Sequence, residues 1–239
     1  MRTAVITGGS RGIGAACVRA FAQAGWRVAF LSLHGNEQAQ ALAREAGALA
    51  FAADVRDSAA VNAACQSILA DFRHVDALIN NAGVALNAQL QDITDEQWRA
   101  VLDTNLTGAF YMTRALLPAM VSQGHGRIVN VSSIWGMVGA SMETAYSAAK
   151  AGLIGLTKAL AKEVGRSGVT VNALAPGATL TDMLIAYGED TLTQIARETP
   201  LGRLCTPEEI AAAALWLCGD GAGMITGQVI SPNGGSVIV

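Results

Sequence analysis

Tyr146 and Lys150 stand four residues apart in Ala145-Tyr146-Ser147-Ala148-Ala149-Lys150, where an alanine-rich stretch begins. On a helix that spacing puts both on one face, an ammonium beside a phenol. A neighbouring cation favours phenolate and lowers a tyrosine pKa from its free value of about 10 toward working pH. Such a group can give a proton to a carbonyl oxygen or take one from an alcohol. Tyr-x-x-x-Lys also arises by chance on solvated helix faces, so the pair needs a context.

The amino terminus supplies one. Thr3-Ala4-Val5-Ile6-Thr7 is a short apolar, β-branched run, followed at once by Gly8-Gly9-Ser10-Arg11-Gly12-Ile13-Gly14 and then by Ala15–Ala22 at helical spacing. Strand, glycine turn and helix is the setting in which a dinucleotide loop forms. Gly8, Gly12 and Gly14 let backbone approach a pyrophosphate and let helix pack on strand. The free N–H groups and dipole of the helix N-terminus favour the anion. A purely structural turn is the competing reading, and the spacing differs from the standard GxGxxG.

The elements that must carry these residues alternate along the whole chain. Candidate strands are 3–7, 28–32, 48–53, 77–80, 127–132, 170–174 and 228–231. Helical patterns cover 10–24, 37–46, 58–72, 95–121 and 146–166, with Pro118 expected to bend or shorten the fourth. This predicts an α/β fold: one doubly wound, Rossmann-type domain over residues 1–239, with a mostly parallel sheet of about seven strands and helices on both faces. The stretch 177–205, with Gly188 and Pro200 inside it, is a candidate substrate lid.

Composition narrows the classes. A length of 239 residues suits one large α/β domain, and 51% hydrophobic residues with 5% aromatics suits close packing of small side chains. A net charge of −3 argues against nucleic acid or an anionic membrane as partner. The first strand begins at Thr3, so no signal peptide is expected, and no run reaches the length of a membrane span. Cys17, Cys65, Cys205 and Cys218 form no CxxC, which fits a reducing, cytoplasmic compartment. His34, His74 and His125 are scattered, and no metal site is expected.

Taken together, Thr7-Gly8-x-x-x-Gly12-x-Gly14, Asn80-Asn81-Ala82-Gly83, Asn105, Ser133, Tyr146-x-x-x-Lys150 and Pro176-Gly177 resemble the short-chain dehydrogenase/reductase family over essentially the whole chain. Within it, Gly124–Val129, Ala148–Gly155 and Asn233-Gly234-Gly235 are most similar to bacterial 3-oxoacyl-carrier-protein reductases. The resemblance implies hydride transfer from a nicotinamide cofactor to a carbonyl, with Tyr146 as proton donor and Ser133 bonding the substrate oxygen. Ser132 is adjacent, and only family spacing selects Ser133. It further implies that Lys150 lowers the tyrosine pKa and grips the nicotinamide ribose, and that Asn105 holds a water for reprotonation. Asn105 as a helix-bending or helix-contact residue is the structural alternative.

Cofactor contacts follow from the fold and the resemblance: Gly8, Ser10, Arg11, Gly12, Ile13 and Gly14 in the loop, and Asp54 with Val55 at the adenine edge. Asn81, Ala82, Gly83, Tyr146, Lys150, Pro176, Gly177, Thr179 and Thr181 complete the set. Asp54 has a competing reading as a helix N-terminal residue. The end of the second strand, Leu31-Ser32-Leu33-His34, carries no carboxylate to repel a 2′-phosphate, and Arg11 can pair with one. NADP(H) is therefore favoured over NAD(H), with Ser32 and His34 as candidate helpers.

The leading reading is an NADPH-dependent ketoreductase of a 3-oxoacyl thioester, on acyl carrier protein or CoA. Two features stand apart from the carrier-protein pattern: Glu143 occupies a position where these reductases commonly carry Gln, and Arg166 is the only clear basic residue in the loops beside the active-site mouth. A dehydrogenase of a free secondary alcohol, sugar or polyol is the alternative, and a non-catalytic nucleotide sensor the remote one. The resemblance also implies a homo-oligomer, dimer or tetramer, through the helices holding Asn105 and Tyr146.

Overall fold

The computed structural model describes all residues 1–239. Seven strands, β1 (Thr3–Thr7), β2 (Arg27–Ser32), β3 (Leu49–Ala52), β4 (Ala77–Asn80), β5 (Gly126–Val131), β6 (Val169–Leu174) and β7 (Val229–Ile230), form one sheet of order β3-β2-β1-β4-β5-β6-β7. Every pairing is parallel. The chain winds outward from β1 to β3, then returns to lay β4 on the other side of β1. Strand order reverses there, which opens a crevice at the carboxyl ends of β1 and β4.

Ten helices join the strands: α1 (Gly12–Gln23), α2 (Glu37–Ala46), α3 (Ser58–Phe72), α4 (Asp95–Leu102), α5 (Gly108–Gln123), α6 (Trp135–Val138), α7 (Thr144–Val164), α8 (Asp182–Ile185), α9 (Glu189–Glu198) and α10 (Pro207–Leu217). Successive strand residues alternate between two cores, as a period of two requires. Ala4, Ile6, Val28, Phe30 and Ile79 pack with Val18 and Phe21 of α1 and Ile210 and Leu217 of α10. Val5, Ala29, Leu31 and Leu78 face the other way, against Ile68 of α3 and Met112, Leu116 and Met120 of α5. Between β4, β5, α5 and α7 runs a buried polar chain. Asn80 Nδ2 donates to Thr113 Oγ1 and Asn130 Oδ1, Asn130 Nδ2 donates to Thr157 Oγ1, and that hydroxyl donates to the Leu153 carbonyl. Asn80 thus satisfies buried groups within the core.

Four details depart from the sequence pattern. The expected helix 95–121 is α4 and α5 joined by a π-helical turn, Asp103–Thr107. Pro118 does not shorten α5, which runs on to Gln123 and stops where Gly124 turns left-handed at φ 68°. Helix α10 lies outside the helical patterns of the sequence, and Thr206-Pro207-Glu208-Glu209 starts it with a capping box and proline at the first helical position. The stretch 177–205 contains α8 and α9, and its two ends meet through a Thr179–Cys205 bridge. No helix is long and apolar enough to cross a membrane.

Leu116 is fully buried between α5 and the sheet. Leu116→Ala is expected to lower the unfolding free energy by about 2–5 kcal/mol in urea titrations, the range for a cavity of that size.

Candidate active site

The glycine loop closes over the end of β1 in a shape that only glycine allows. Gly8 and Gly12 adopt φ of 65° and 53°, values that strain any residue with a Cβ. A methyl on Gly14 would lie 2.0 Å from the Gly8 carbonyl oxygen and 2.6 Å from Asn81 Nδ2. Across the crevice, Thr7 Oγ1 accepts from the backbone N–H groups of Asn81 and Ala82, both at 3.0 Å. Asn81 Nδ2 returns a bond to the Thr7 carbonyl at 2.9 Å. Thr7 and Asn81 therefore hold the loop against the end of β4, an arrangement that motif spacing alone did not disclose. Arg11 occupies the N-cap of α1 and makes no side-chain cap bond there. Ser10 lies in the same turn.

The second half of the site is built where β5 ends and α7 begins. Lys150 is buried and its Nζ donates to the Val131 carbonyl at 2.7 Å. Ser132 Oγ donates to the Lys150 carbonyl at 2.9 Å. The neighbouring Ser133 Oγ accepts from Trp135 N at 3.1 Å and acts on Tyr146. The two serines are thereby distinguished: the hydroxyl of Ser132 docks α7, and that of Ser133 lies with the phenol. Gly136 permits this docking, since a methyl there would meet the Lys150 backbone at 2.7 Å.

Asn105 arrives from the π-helical turn. Its Nδ2 donates to the carbonyls of Val101, one turn back, and Val84, both at 2.8 Å. Its Oδ1 is buried without a partner. A methyl on Gly83 would meet that oxygen at 2.6 Å and Lys150 Nζ at 3.4 Å, so amide oxygen, ammonium and glycine border one small space. A buried acceptor without a donor is costly, and a bound water is its ordinary partner. Asn105 is thus also a helix-contact residue, bonding a carbonyl in the widened turn.

The expected depression of the Tyr146 pKa by Lys150 is overturned. Burial pushes Tyr146 up to about 12, with the Ser133 hydroxyl pulling it down and the Glu143 carboxyl adding to the rise. Burial pushes Lys150 down to about 8. The ammonium sits 5.5 Å from the centre of the phenol ring and spends its bond on Val131. Desolvation penalises both charged forms and outweighs the attraction expected from i,i+4 spacing.

The remaining sequence candidates fall around this centre. Arg11 lies 3.9 Å from Asp182 of α8, an ion pair exposed on both sides. Ser32 Oγ is committed to the His34 carbonyl at 2.9 Å. Asp54 does not cap α3; Asp57 does, accepting from Ala59 N and Ala60 N. Arg56 clasps Asp54 instead and holds its carboxyl below the usual range. Val55 packs on Gly108, where a methyl would come within 2.9 Å of it. Pro176 and Gly177 follow β6, and the Pro176 carbonyl accepts from Ile134 N, tying the ends of β5 and β6. Thr179 is buried, with Oγ1 on the Gly177 carbonyl, and Thr181 stands against Gly12.

A nucleotide-binding crevice with Tyr, Lys, Ser and Asn gathered at its carboxyl edge defines a class, and sequence comparison agrees. A family model described as enoyl-(acyl carrier protein) reductase matches residues 8–236. The chain belongs to the short-chain dehydrogenase/reductase family and is an NAD(P)-dependent oxidoreductase. It is 46% identical over 235 residues to an acetoacetyl-CoA reductase of Rhizobium meliloti, covering 98% of each chain. A 3-oxoacyl-[acyl-carrier-protein] reductase of Escherichia coli is 39% identical over 240 residues, covering 100% of this chain and 98% of the relative. The nodulation protein G of Azospirillum brasilense is 41% identical over 239 residues, covering 98% and 97%.

Two outcomes follow. Gly14→Ala is expected to weaken nicotinamide-cofactor binding about tenfold or more, read by fluorescence titration, because the added methyl forces Gly8 and Asn81 apart. Lys150 binds its proton more weakly folded, near pH 8, than unfolded, near 10.5. Between those values the unfolded chain holds the extra proton, so this residue makes stability rise with pH, by up to about 3 kcal/mol. Thermal melts of Lys150→Met are expected to lack that rise.

Proposed function

We propose that the protein is an NADPH-dependent ketoreductase of 3-oxoacyl thioesters with Tyr146 as general acid. The observation that carries this reading is the gathering of Tyr146, Ser133, Lys150 and the unpartnered Asn105 Oδ1 beside a glycine-lined crevice. Full-length similarity to reductases of acetoacetyl-CoA and of 3-oxoacyl carrier proteins supports the substrate class.

The loop suits a dinucleotide: Gly8 and Gly14 let it close tightly on Asn81 and Ala82, and Gly83 keeps a side chain out of the space beside Asn105 Oδ1 and Lys150 Nζ. Gly8, Ser10, Arg11, Gly12, Ile13 and Gly14 would hold the phosphates, and Asp54 and Val55 the adenine edge. Asn81, Ala82, Gly83, Pro176, Gly177, Thr179 and Thr181 would line the nicotinamide half. When bound, the nicotinamide supplies the hydride. Arg11, paired only loosely with Asp182 and free of any acid at the end of β2, favours a 2′-phosphate.

Ser133 orients the substrate oxygen, and the Tyr146 hydroxyl gives it a proton. A phenol with a pKa of about 12 stays protonated at working pH, which is the form a reductase needs. It is still far more acidic than an alcohol, so transfer to the developing alkoxide runs downhill. The Lys150 ammonium compensates the phenolate left behind. A water on Asn105 Oδ1 would return the proton. Residues 177–205 act as the substrate lid, and Phe110 and Val121, which α5 leaves exposed, supply part of a homo-oligomer face.

The test is loss of NADPH absorbance with acetoacetyl-CoA, repeated with NADH and with crotonoyl-CoA. Turnover of the 3-oxo substrate with NADPH is expected. Turnover of crotonoyl-CoA alone would favour the enoyl reduction that the family model's description names, and activity found only as absorbance gained when NADP+ is mixed with free secondary alcohols would favour a dehydrogenase. Tyr146→Phe is expected to retain cofactor binding and lose about a thousandfold in kcat. Near-normal activity of that variant would sink the mechanism. Arg11→Ala is expected to raise the KM for NADPH about tenfold and leave that for NADH unchanged.

A further inference from the structure

Residues 177–205 have little hold on the domain except at their ends. Thr179 and Thr199 are buried, and no residue between them is. Neither α8 nor α9 contains a buried side chain, and Met183, Ile185 and Tyr187 are exposed. At the base the segment closes on itself. Leu180 N donates to the Cys205 carbonyl and Cys205 N to the Ala178 carbonyl, both at 2.9 Å. A segment with so few buried contacts takes its position from its anchors.

Both anchors reach one turn, residues 231–237, which follows β7. At the entrance Gly177 N donates to the Pro232 carbonyl, and at the exit Leu201 N donates to the Gly234 carbonyl, both at 3.1 Å. Asn233 stands between those two carbonyls and is buried. Its Nδ2 donates to Ser231 Oγ at 2.7 Å and to the Val237 carbonyl at 2.9 Å, and its Oδ1 accepts from Gly235 N at 2.8 Å. Ser231 Oγ in turn donates to the Ala175 carbonyl, just past β6, at 2.7 Å. One side chain thus shapes the turn, and a hydroxyl bonded to it ties the turn to the sheet. The fit to both anchors is close. A methyl on Gly234, where φ is 65°, would lie 2.6 Å from Thr199 Cγ2, and one on Gly177 would lie 2.9 Å from Asn233 Cα. Elsewhere the surfaces stand apart around a cavity of about 130 Å³, lined by Ala178, Leu201, Cys205 and Asn233 among others. A few hydrogen bonds and close contacts, rather than continuous packing, hold the base of the segment.

We propose that Asn233 is a positioning residue for the reaction proposed above. It fixes the spacing of the Pro232 and Gly234 carbonyls, which seats both ends of 177–205 on one turn. That spacing sets where Thr179 and Thr181 meet the nicotinamide half of the cofactor and where α8 lies over the substrate. Thr181 carries the effect inward, because it stands against Gly12 of the glycine loop. Without the Asn233 side chain the turn loses three hydrogen bonds, the two carbonyls move independently, and the segment opens more often. Asn233 acts through the segment and not on the reacting atoms. The inference rests on the reading of 177–205 as the lid of a nicotinamide-dependent reductase.

The experiment compares Asn233→Ala with wild type and with Leu116→Ala, which weakens the core between α5 and the sheet. Tryptic cleavage after Arg197, in the last turn of α9, reports opening of the exit with neither cofactor nor substrate present. It is expected to quicken about tenfold in Asn233→Ala, relative to cleavage elsewhere in the chain. NADP+ should bind about tenfold more weakly, while 2′-phospho-ADP-ribose, which lacks the nicotinamide, binds as it does to wild type. KM for acetoacetyl-CoA should rise with a smaller change in kcat. Asn233→Ser keeps an acceptor for Gly235 N, should fall between the two proteins, and serves where the alanine variant does not fold. Unchanged cleavage after Arg197, or equal weakening of NADP+ and the fragment, overturns the inference whatever the melting temperature shows. The same pattern in Leu116→Ala overturns it too, since that would mark a general loss of stability. Failure of wild type to reduce acetoacetyl-CoA overturns the substrate reading alone, because cleavage and binding are read without turnover. Tighter binding of NAD+ than of NADP+ overturns the cofactor preference alone, and NAD+ is then compared with ADP-ribose.

Discussion

Lys150 is fastened to the end of β5 by both its side chain and its backbone. Its Nζ bonds the Val131 carbonyl, and its own carbonyl takes the Ser132 hydroxyl. Removing an ammonium from water is expensive unless it finds hydrogen bonds, so this lysine has one place in which it can be buried. That place fixes the rotation and height of α7 against the sheet. With α7 set, Tyr146 projects one turn earlier, and Ser133, the residue after the docking serine, lies alongside it. The geometry of the site is a consequence of how one charged side chain is accommodated.

The other half depends on the reversal of strand order between β1 and β4. A crevice there is useful only if its walls are held at a constant distance, and Thr7 with Asn81 do this through side-chain bonds to backbone. Gly14 shows how little space is left, because even a methyl group would collide with the opposing carbonyl. The two halves meet over Gly83, where the Asn105 oxygen and the Lys150 ammonium border the same space. A buried polar chain through Asn80, Asn130, Thr113 and Thr157 braces this junction from beneath.

Burial also sets the electrostatics. Tyr146 and Lys150 are shifted in opposite directions, each toward its neutral form. At neutral pH a phenol near 12 and an ammonium near 8 both hold their protons. Glu143, three residues before Tyr146, adds a negative charge that further opposes ionisation of the phenol.

The alternation of strands and helices, the glycine cradle and the identity of the four polar residues were legible in the sequence, because periodicity, turn chemistry and motif spacing act over a few neighbouring residues. The ends of β1, β4, α2 and α3 coincide with their sequence signals for the same reason. Only tertiary structure decided the rest. The π turn at Asn105 and the continuation of α5 past Pro118 reflect packing that overrides local preference. The separate duties of Ser132 and Ser133, and the direction in which Tyr146 and Lys150 are shifted, depend on desolvation by atoms brought from distant parts of the chain. Sequence spacing can place two side chains on one face, but it does not report how much water the fold leaves around them.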